Sequence, residues 1–251
     1  MPNLRQAIRR AINRSTGLAT APLRSLAAAT LRRRPELTAR FAEWSWLWQP
    51  SWGKSMQQSL FSSGIDPYDL ATNSYEQQKY ADIIRVLGDR HVTRGLEVGC
   101  AEGLFTESLA ALCEELVAVD ISEIAVARAQ NRLREQTGIR IERRTLPLDY
   151  PEGVFDLIVC SDVLYLWQRP TLEIGLRKIV SSLRPGGRLL LQHYRGHFGA
   201  PFTGDEVHDL AIAVRVDGAT LRAVHTERGN SPDPDDHRSE GYRIDLLERQ
   251  V

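Results

Sequence analysis

Glu97-Val98-Gly99-Cys100-Ala101-Glu102-Gly103 is the stretch whose reading decides the fold. It follows the apolar run Gly95-Leu96-Glu97-Val98 and leads into a helical pattern at Leu104, Leu109 and Leu112. A strand that enters a glycine turn and leaves as a helix is a first β-α turn. Such a turn offers backbone N–H groups, and a path without side-chain bulk, to a nucleotide-like ligand. Gly99 and Gly103 stand in a G-x-x-x-G spacing, whereas a pyrophosphate-binding dinucleotide turn takes G-x-G-x-x-G; Ala101 fills the middle position here. The spacing argues against a nicotinamide dinucleotide.

Two acids flank the turn. Glu97 lies two places before Gly99, and Asp120 ends the next apolar run, Leu116-Val117-Ala118-Val119-Asp120. Carboxylates in these places suit a ligand with an ammonium group and a ribose diol, since both donate to a carboxylate. S-adenosyl-L-methionine carries both groups and no phosphate, so it is the cofactor this pattern predicts. The plain alternative is a tight turn in an α/β protein without a cofactor.

Downstream of Arg94, strand and helix patterns alternate as in a parallel sheet covered on both faces. Strands are expected near 94–98, 116–120, 139–144, 154–160 and 187–193, with helices near 103–113, 122–136, 170–183 and 204–216. Ser122 is a credible N-cap, Gly138 follows the second helix, and Pro185-Gly186-Gly187 leads into the fifth strand. Two further runs, at 219–227 and 242–247, add an antiparallel pair joined across a hairpin connection. The expected architecture is α/β: a doubly wound, mostly parallel, seven-stranded Rossmann-like sheet. Upstream, a turn-rich loop at 62–70 opens the main domain, and Asn73 or Ser74 caps a helix running to Leu87 with Gly88 as its stop. That helix brings Tyr75 and Lys79 one turn apart. Lys79 either meets a carboxylate or stands as a solvated charge.

The first 61 residues read as a separate, helical, Trp-rich extension, with the main domain at 62–251. Residues 1–40 hold nine arginines and one acid, Glu36, while the whole chain has a net charge of zero. The main domain is therefore acidic, which argues against a general nucleic-acid surface. Leu4, Ile8 and Ile12 at helical spacing make the start either an amphipathic helix or a solvated basic arm. Trp44, Trp46, Trp48 and Trp52 are four of the five tryptophans; they could glue the arm to the domain, line an acceptor cleft, or form a homodimer surface. No run reaches the length of a membrane span, so stable membrane insertion is not expected. Three cysteines, Cys100, Cys113 and Cys160, without a C-x-x-C pair suit a reducing cytoplasm. Asp233, Asp235, Asp236 and His237 read as a solvated loop, and no metal is assigned.

The order of elements, with E-x-G-x-x-x-G, Asp120, the strand at 155–159 and Leu183-Arg184-Pro185-Gly186-Gly187, resembles a class I S-adenosylmethionine-dependent methyltransferase. Asp66-Pro67-Tyr68-Asp69-Leu70, Tyr75-Glu76-Gln77, the stretch 96–107, and Asp162-Val163-Leu164-Tyr165 are similar to the nodulation protein S subgroup. Those rhizobial enzymes N-methylate a deacetylated sugar of a chitooligosaccharide. The resemblance runs from about residue 66 to the end. It implies that Gly99, Cys100, Ala101 and Gly103 form the cofactor turn, with Glu97 facing the methionine moiety and Asp120 with Ile121 at the ribose. Tyr75, Lys79 and Ser161 complete the expected cofactor set. After the third strand the family usually has an acid near the adenine amino group; this chain has Thr145, which can accept one hydrogen bond, beside Leu146, which can pack on the ring.

Methyl transfer from a sulfonium is an in-line displacement, so alignment of the acceptor is the protein's main contribution. A protonated amine has no lone pair and a sugar hydroxyl is a weak nucleophile, so a base or a depressed acceptor pKa is needed. Ligands of open parallel sheets sit beyond the carboxyl ends of the strands. This selects Ser161, Asp162 and Tyr165 after strand four, and His193 and His197 after strand five. The catalytic set expected is His193 as base, with Asp162 as orienter, second base or ammonium partner, and Tyr165 beside them; a core imidazole and a turn-capping aspartate are the structural alternatives. The expected acceptor is an amino or hydroxyl group of a sugar, oligosaccharide or glycosylated small molecule, placing the chain in carbohydrate modification or natural product biosynthesis. A non-catalytic S-adenosylmethionine-binding scaffold is the competing function.

Overall fold

The computed structural model describes residues 53–232 and 240–251. The basic arm, the four clustered tryptophans and the residues Asp233, Asp235, Asp236 and His237 lie outside the described residues. Strand order is β3-β2-β1-β4-β5-β8-β7-β6. The strands are β1 (Val92–Val98), β2 (Cys113–Asp120), β3 (Ile139–Arg143), β4 (Phe155–Ser161), β5 (Leu183–Tyr194), β6 (Arg215–Val216), β7 (Ala219–Gly229) and β8 (Tyr242–Gln250). The first five are mutually parallel, and β8, β7 and β6 continue the sheet antiparallel. The seven expected strands are thus joined by an eighth, the two-residue β6.

Six α-helices are described: α1 (Lys54–Ser63), α2 (Ser74–Leu87), α3 (Leu104–Ala110), α4 (Glu123–Arg132), α5 (Arg169–Ser182) and α6 (Gly204–Ala213). Asn73 caps α2 by accepting the Tyr75 N–H, and Ser122 caps α4 by accepting the Ala125 N–H. Thr203 and Glu206 form a reciprocal capping box on α6. Three helices stop short of their expected ends: α4 closes at Arg132 in a turn, and the other two yield to strand pairing. The stretch expected to continue α3 to 113 instead begins β2, where the Val92 N–H bonds to the Leu112 carbonyl and Cys113 pairs with Val92. Likewise α6 ends at Ala213, and Asp217 and Gly218, both at positive φ, close a two-residue hairpin between β6 and β7.

Buried side chains fall into two layers, one on each face of the sheet. One joins Leu96, Val98, Ile158, Cys160, Leu189 and Leu191 to α5 and α6; the other joins Leu157, Val159, Leu190, Tyr242 and Ile244 to α2 and α3. β4 is buried on both faces, as its continuous apolar sequence requires. α1 lies across the expected domain boundary and buries Met56, Leu60 and Phe61. No helix of the described residues is long and apolar enough to cross a membrane.

Candidate functional site

The chain runs outward from β1 through β2 to β3, then returns to set β4 on the other side of β1. That reversal opens a crevice beyond the carboxyl ends of β1 and β4. The Gly99 turn and the turn after β4 meet there: a Cβ on Gly99 would lie 3.0 Å from Val163 Cγ2. Gly99 (φ 82°), Ala101 (φ 48°) and Gly103 (φ 80°) all adopt left-handed backbone. The turn's amides are largely committed to β2. Gly99 and Cys100 both donate to the Val119 carbonyl (2.8 and 3.1 Å), and Ala101 donates to Asp120 Oδ2 (3.1 Å). The free N–H supply expected of this turn is therefore reduced, which suits a ligand without phosphate.

Glu97, at the end of β1, is 4% exposed, and its Oε2 has no hydrogen-bond partner among the described residues. Burial pushes its carboxyl up to about 7 against the pull of the Thr106 hydroxyl, with the charge of Asp120 adding to the rise. Asp120 is partly exposed; its Oδ1 accepts the Ser122 N–H at 2.8 Å, and burial raises its pKa against the hydrogen bonds of Ser122 and Ala101. Each Asp120 oxygen retains acceptor capacity for a diol. Ile121 and the stretch Thr145, Leu146 are partly buried beside it, and the Arg144 N–H bonds the Asp120 carbonyl at 2.9 Å. Leu146 packs on the main core. A buried carboxylate with one unpaired oxygen for an ammonium, and a partly open carboxylate for a diol, fit S-adenosyl-L-methionine. Sequence reasoning missed the far wall: Gln58 of α1 accepts the Glu123 N–H (3.3 Å), and Tyr68 donates to Gln57 (2.9 Å) with its phenol pushed up by burial and then by Asp120.

α2 covers the opposite side of the crevice. Lys79 is 2% exposed, with its ammonium paired to Glu76 and 2.8 Å from Asp162 Oδ2, and 4.9 Å above the Tyr80 ring. It is an internal cation and not a solvated one. Burial opposes its charge, but the two carboxylates prevail and hold its pKa well above the usual lysine range. Tyr75, on the same helix, is buried edge-on to Tyr242 (5.4 Å). Asp162 adopts φ 50°, a conformation aspartate tolerates better than most residues. Its Oδ1 accepts the Tyr165 hydroxyl (2.9 Å) and the Tyr194 N–H (2.8 Å). The Gln192 amide is best oriented with its nitrogen toward Asp162 Oδ2 (3.2 Å) and Ser161 Oγ (2.5 Å). Burial pushes the Asp162 carboxyl up, yet Lys79 and the other donors hold it below the ordinary range, so it stays ionised. Burial and Asp162 push the Tyr165 phenol well above its usual value, so it stays a neutral donor. The Cys100 thiol is likewise held protonated by burial.

His193 does not join this cluster as a base. It is fully buried, its Nε2 accepts the Leu164 N–H (3.1 Å), and its Nδ1 lies 3.1 Å from His208 Nε2. Both ring nitrogens are engaged, and burial followed by His208 pushes its pKa well below the ordinary value. The base role expected for it is corrected on that ground: no lone pair faces the crevice. His197 is exposed in the loop after β5, where Phe198 packs edge-on to Tyr165 at 5.0 Å. Glu76, Gln192, His208 and Asp245 were not anticipated; only Glu76 and Lys79, three apart on a helix, carried a local signal.

The model of the nodulation protein S (NodS) family matches residues 56–213. Nodulation protein S of Sinorhizobium fredii (strain NBRC 101917 / NGR234) is 35% identical over 127 residues, 50% of this chain and 59% of that protein. The homologue of Bradyrhizobium diazoefficiens is 38% identical over 128 residues, 50% of this chain and 61% of its own length. The chain thus spans about three fifths of the length of these curated relatives. Among solved structures, N-methyltransferase NodS from Bradyrhizobium japonicum WM9 in complex with S-adenosyl-L-homocysteine aligns with a TM-score of 0.70, covering 79% of this chain and 98% of that one. At 24% identity this likeness speaks to the fold, which is the Rossmann-like sheet expected from the glycine turn. Because the family match at 56–213 takes in well over half of the 251 residues, the chain belongs to the nodulation protein S family.

Proposed function

We propose that the chain is an S-adenosyl-L-methionine-dependent N-methyltransferase whose acceptor is the amino group of a sugar, oligosaccharide or glycosylated small molecule in the cytoplasm. The observation that carries the reading is Asp162: an ionised, partly exposed carboxylate beside the Gly99 turn, with Tyr165, Tyr194 and Lys79 fixing its two oxygens. Glu97 would hold the cofactor's ammonium, Asp120 its ribose diol, and Thr145 with Leu146 would flank its adenine. Bound there, the cofactor supplies an electrophilic methyl group on a sulfonium. The donor and the N-methyl chemistry are supported by the solved NodS relative, an N-methyltransferase captured with S-adenosyl-L-homocysteine; the sugar class rests on the resemblance of the sequence motifs to the nodulation protein S subgroup.

Nitrogen is favoured over oxygen by the protonation states of the expected catalytic set. Asp162 is a weak base because its pKa is depressed, Tyr165 is a neutral donor, and His193 is sealed in the core. Such a set cannot readily activate a sugar hydroxyl, but it can attract an ammonium and orient the amine once water has taken its proton. Phe198, at the margin of the site against Tyr165, offers an aromatic edge to a sugar ring.

The test is transfer of labelled methyl from S-adenosyl-L-methionine to a de-N-acetylated chitooligosaccharide, compared with its N-acetylated form and with Asp162→Asn. The expected result is label on the free amine, none on the acetylated acceptor, and a rate about 10²-fold lower in the variant with unchanged S-adenosyl-L-homocysteine affinity. Equal labelling of both acceptors would point to oxygen. No transfer to a panel of amino sugars, with cofactor bound, would favour the scaffold function.

A further inference from the structure

On the sheet face opposite α2, a polar chain is sealed in the apolar core. His193 of β5, His208 of α6 and Asp245 of β8 are each 0% exposed. His193 Nδ1 and His208 Nε2 are 3.1 Å apart, His208 Nδ1 and Asp245 Oδ2 are 2.9 Å apart, and Arg243 Nη2 reaches the same Asp245 oxygen at 2.8 Å. Arg243 is in turn held by Asp209 (3.0 Å) and Asp205 (3.4 Å) of α6.

The two ends of this chain fix the direction of every proton between them. A backbone N–H can only donate, so the Leu164 amide, 3.1 Å from His193 Nε2, requires that nitrogen to be bare. A neutral imidazole has one proton, which must then sit on Nδ1 and point at His208 Nε2. His208 must accept there, so its own proton sits on Nδ1 and is donated to Asp245, whose carboxylate can only accept. Protonating either ring would set N–H against N–H in a dry core. Burial, the largest influence on both rings, also disfavours their charged forms.

The free end of the chain reaches the acceptor side of the crevice in one residue. Leu164 precedes Tyr165, whose hydroxyl is 2.9 Å from Asp162 Oδ1 and whose ring meets His193 edge-on at 5.0 Å. We propose that His208 and Asp245 are positioning residues: they hold His193 in the Nδ1–H tautomer, whose bare Nε2 pins the Leu164 amide and thereby keeps Tyr165 on Asp162. The role rests on the reading of Asp162 and Tyr165 as the acceptor site. An apolar trio of the same shape would fill the core without a desolvation cost, but it could not grip a backbone amide.

Nitrogen-15 NMR of the histidine rings in the full-length protein at neutral pH, with His193→Gln and His208→Gln for assignment, reads the tautomers without any acceptor. Both rings should be neutral and protonated on Nδ1. An Nε2–H tautomer or an imidazolium at either ring overturns the proposal. In the de-N-acetylated chitooligosaccharide assay, His208→Leu should lower kcat by about 10²-fold, as displaced active-site groups do, with S-adenosyl-L-homocysteine affinity within about twofold. His208→Gln keeps an acceptor opposite His193 Nδ1 and should retain most of the wild-type kcat. A folded His208→Leu protein at the wild-type rate refutes the positioning role alone. Absence of transfer by the cofactor-bound wild type to this acceptor and to the panel of amino sugars removes the acceptor-site reading, and the positioning role falls with it. If His208→Leu does not fold, the ring tautomers of the wild type and the kcat of His208→Gln decide.

Discussion

Glu97 should make cofactor affinity depend on pH in a direction that its burial dictates. Its carboxyl sits at about 7 in the free protein against an ordinary value of 4.5. An ammonium placed at its partnerless Oε2 would favour the ionised form and draw the pKa back down. Binding then releases a proton wherever free Glu97 is protonated. The worked consequence is a dissociation constant for S-adenosyl-L-homocysteine that is flat above pH 8, about twofold weaker at pH 7 and roughly tenfold weaker at pH 6, with ~0.5 proton released at pH 7. Titration calorimetry in buffers of different ionisation enthalpy measures both quantities. Stability has the opposite slope. The folded chain keeps this proton up to about 7 and the unfolded chain only to 4.5, so stability falls as pH rises through that window, by up to ~3 kcal/mol, and the loss is complete above it. Glu97→Gln should therefore raise the melting temperature at pH 8 while weakening S-adenosyl-L-homocysteine binding by about 1.5–3 kcal/mol and flattening its pH dependence. A wild-type affinity constant from pH 6 to 8.5, with no buffer-dependent heat, would refute the reasoning.

Asp120→Ala should weaken S-adenosyl-L-homocysteine by ~1–3 kcal/mol through loss of the diol's acceptor, and unchanged calorimetric affinity would remove Asp120 from the cofactor site. Lys79→Met should destabilise the chain by about 3–5 kcal/mol in urea, because Glu76 and Asp162 would face each other without their shared cation; Glu76→Gln added to it should recover part of the loss, and additive losses would refute the coupling. Deleting residues 1–52 should leave S-adenosyl-L-homocysteine binding within about twofold. Deleting 1–60 should lower both affinity and melting temperature, since it removes Gln57, Gln58 and the buried Met56 and Leu60; equal behaviour of the two truncations would deny α1 its covering role.

Local chemistry made much of the fold legible. The glycine turn, the Asn73 and Ser122 caps and the apolar run of β4 each have a cause within a few residues, and each element stands where that cause puts it. Element ends were less legible wherever a remote partner decided them. Leu112 and Cys113 continue a helical pattern in sequence, yet the Val92 N–H takes the Leu112 carbonyl and Cys113 opens β2 opposite Val92. The end of α6 was an exception: Asp217-Gly218 is a short-range hairpin signal that outweighs the apolar period before it. At the site, Glu97 and Asp120 could be read from their position at strand ends, but the partnership of Lys79 with Asp162 joins residues 83 apart and has no local signature.

The base assignment turned on a single step of strand parity. Parallel neighbours in register share a face, and side chains alternate between faces along each strand. Glu97 pairs with Val159, Val159 with Leu190, and Ser161 with Gln192, so Glu97, Ser161 and Gln192 all look toward α2. His193 is one residue further and takes the face of Leu191, beneath α6. Ending a strand at the correct edge is therefore necessary for a catalytic residue but not sufficient, because half of the residues at that edge point into the other layer. Gln192, not His193, is the β5 residue that faces Ser161 and Asp162, and its amide orients them without serving as a base. With cofactor saturating, so that Glu97 does not set the profile, the proposed mechanism predicts that a rising rate with pH belongs to the acceptor's own amine. The inflection should move when acceptors of different amine pKa are compared and stay in place in His193→Gln; an inflection that ignores the acceptor would return the proton to a group of the protein.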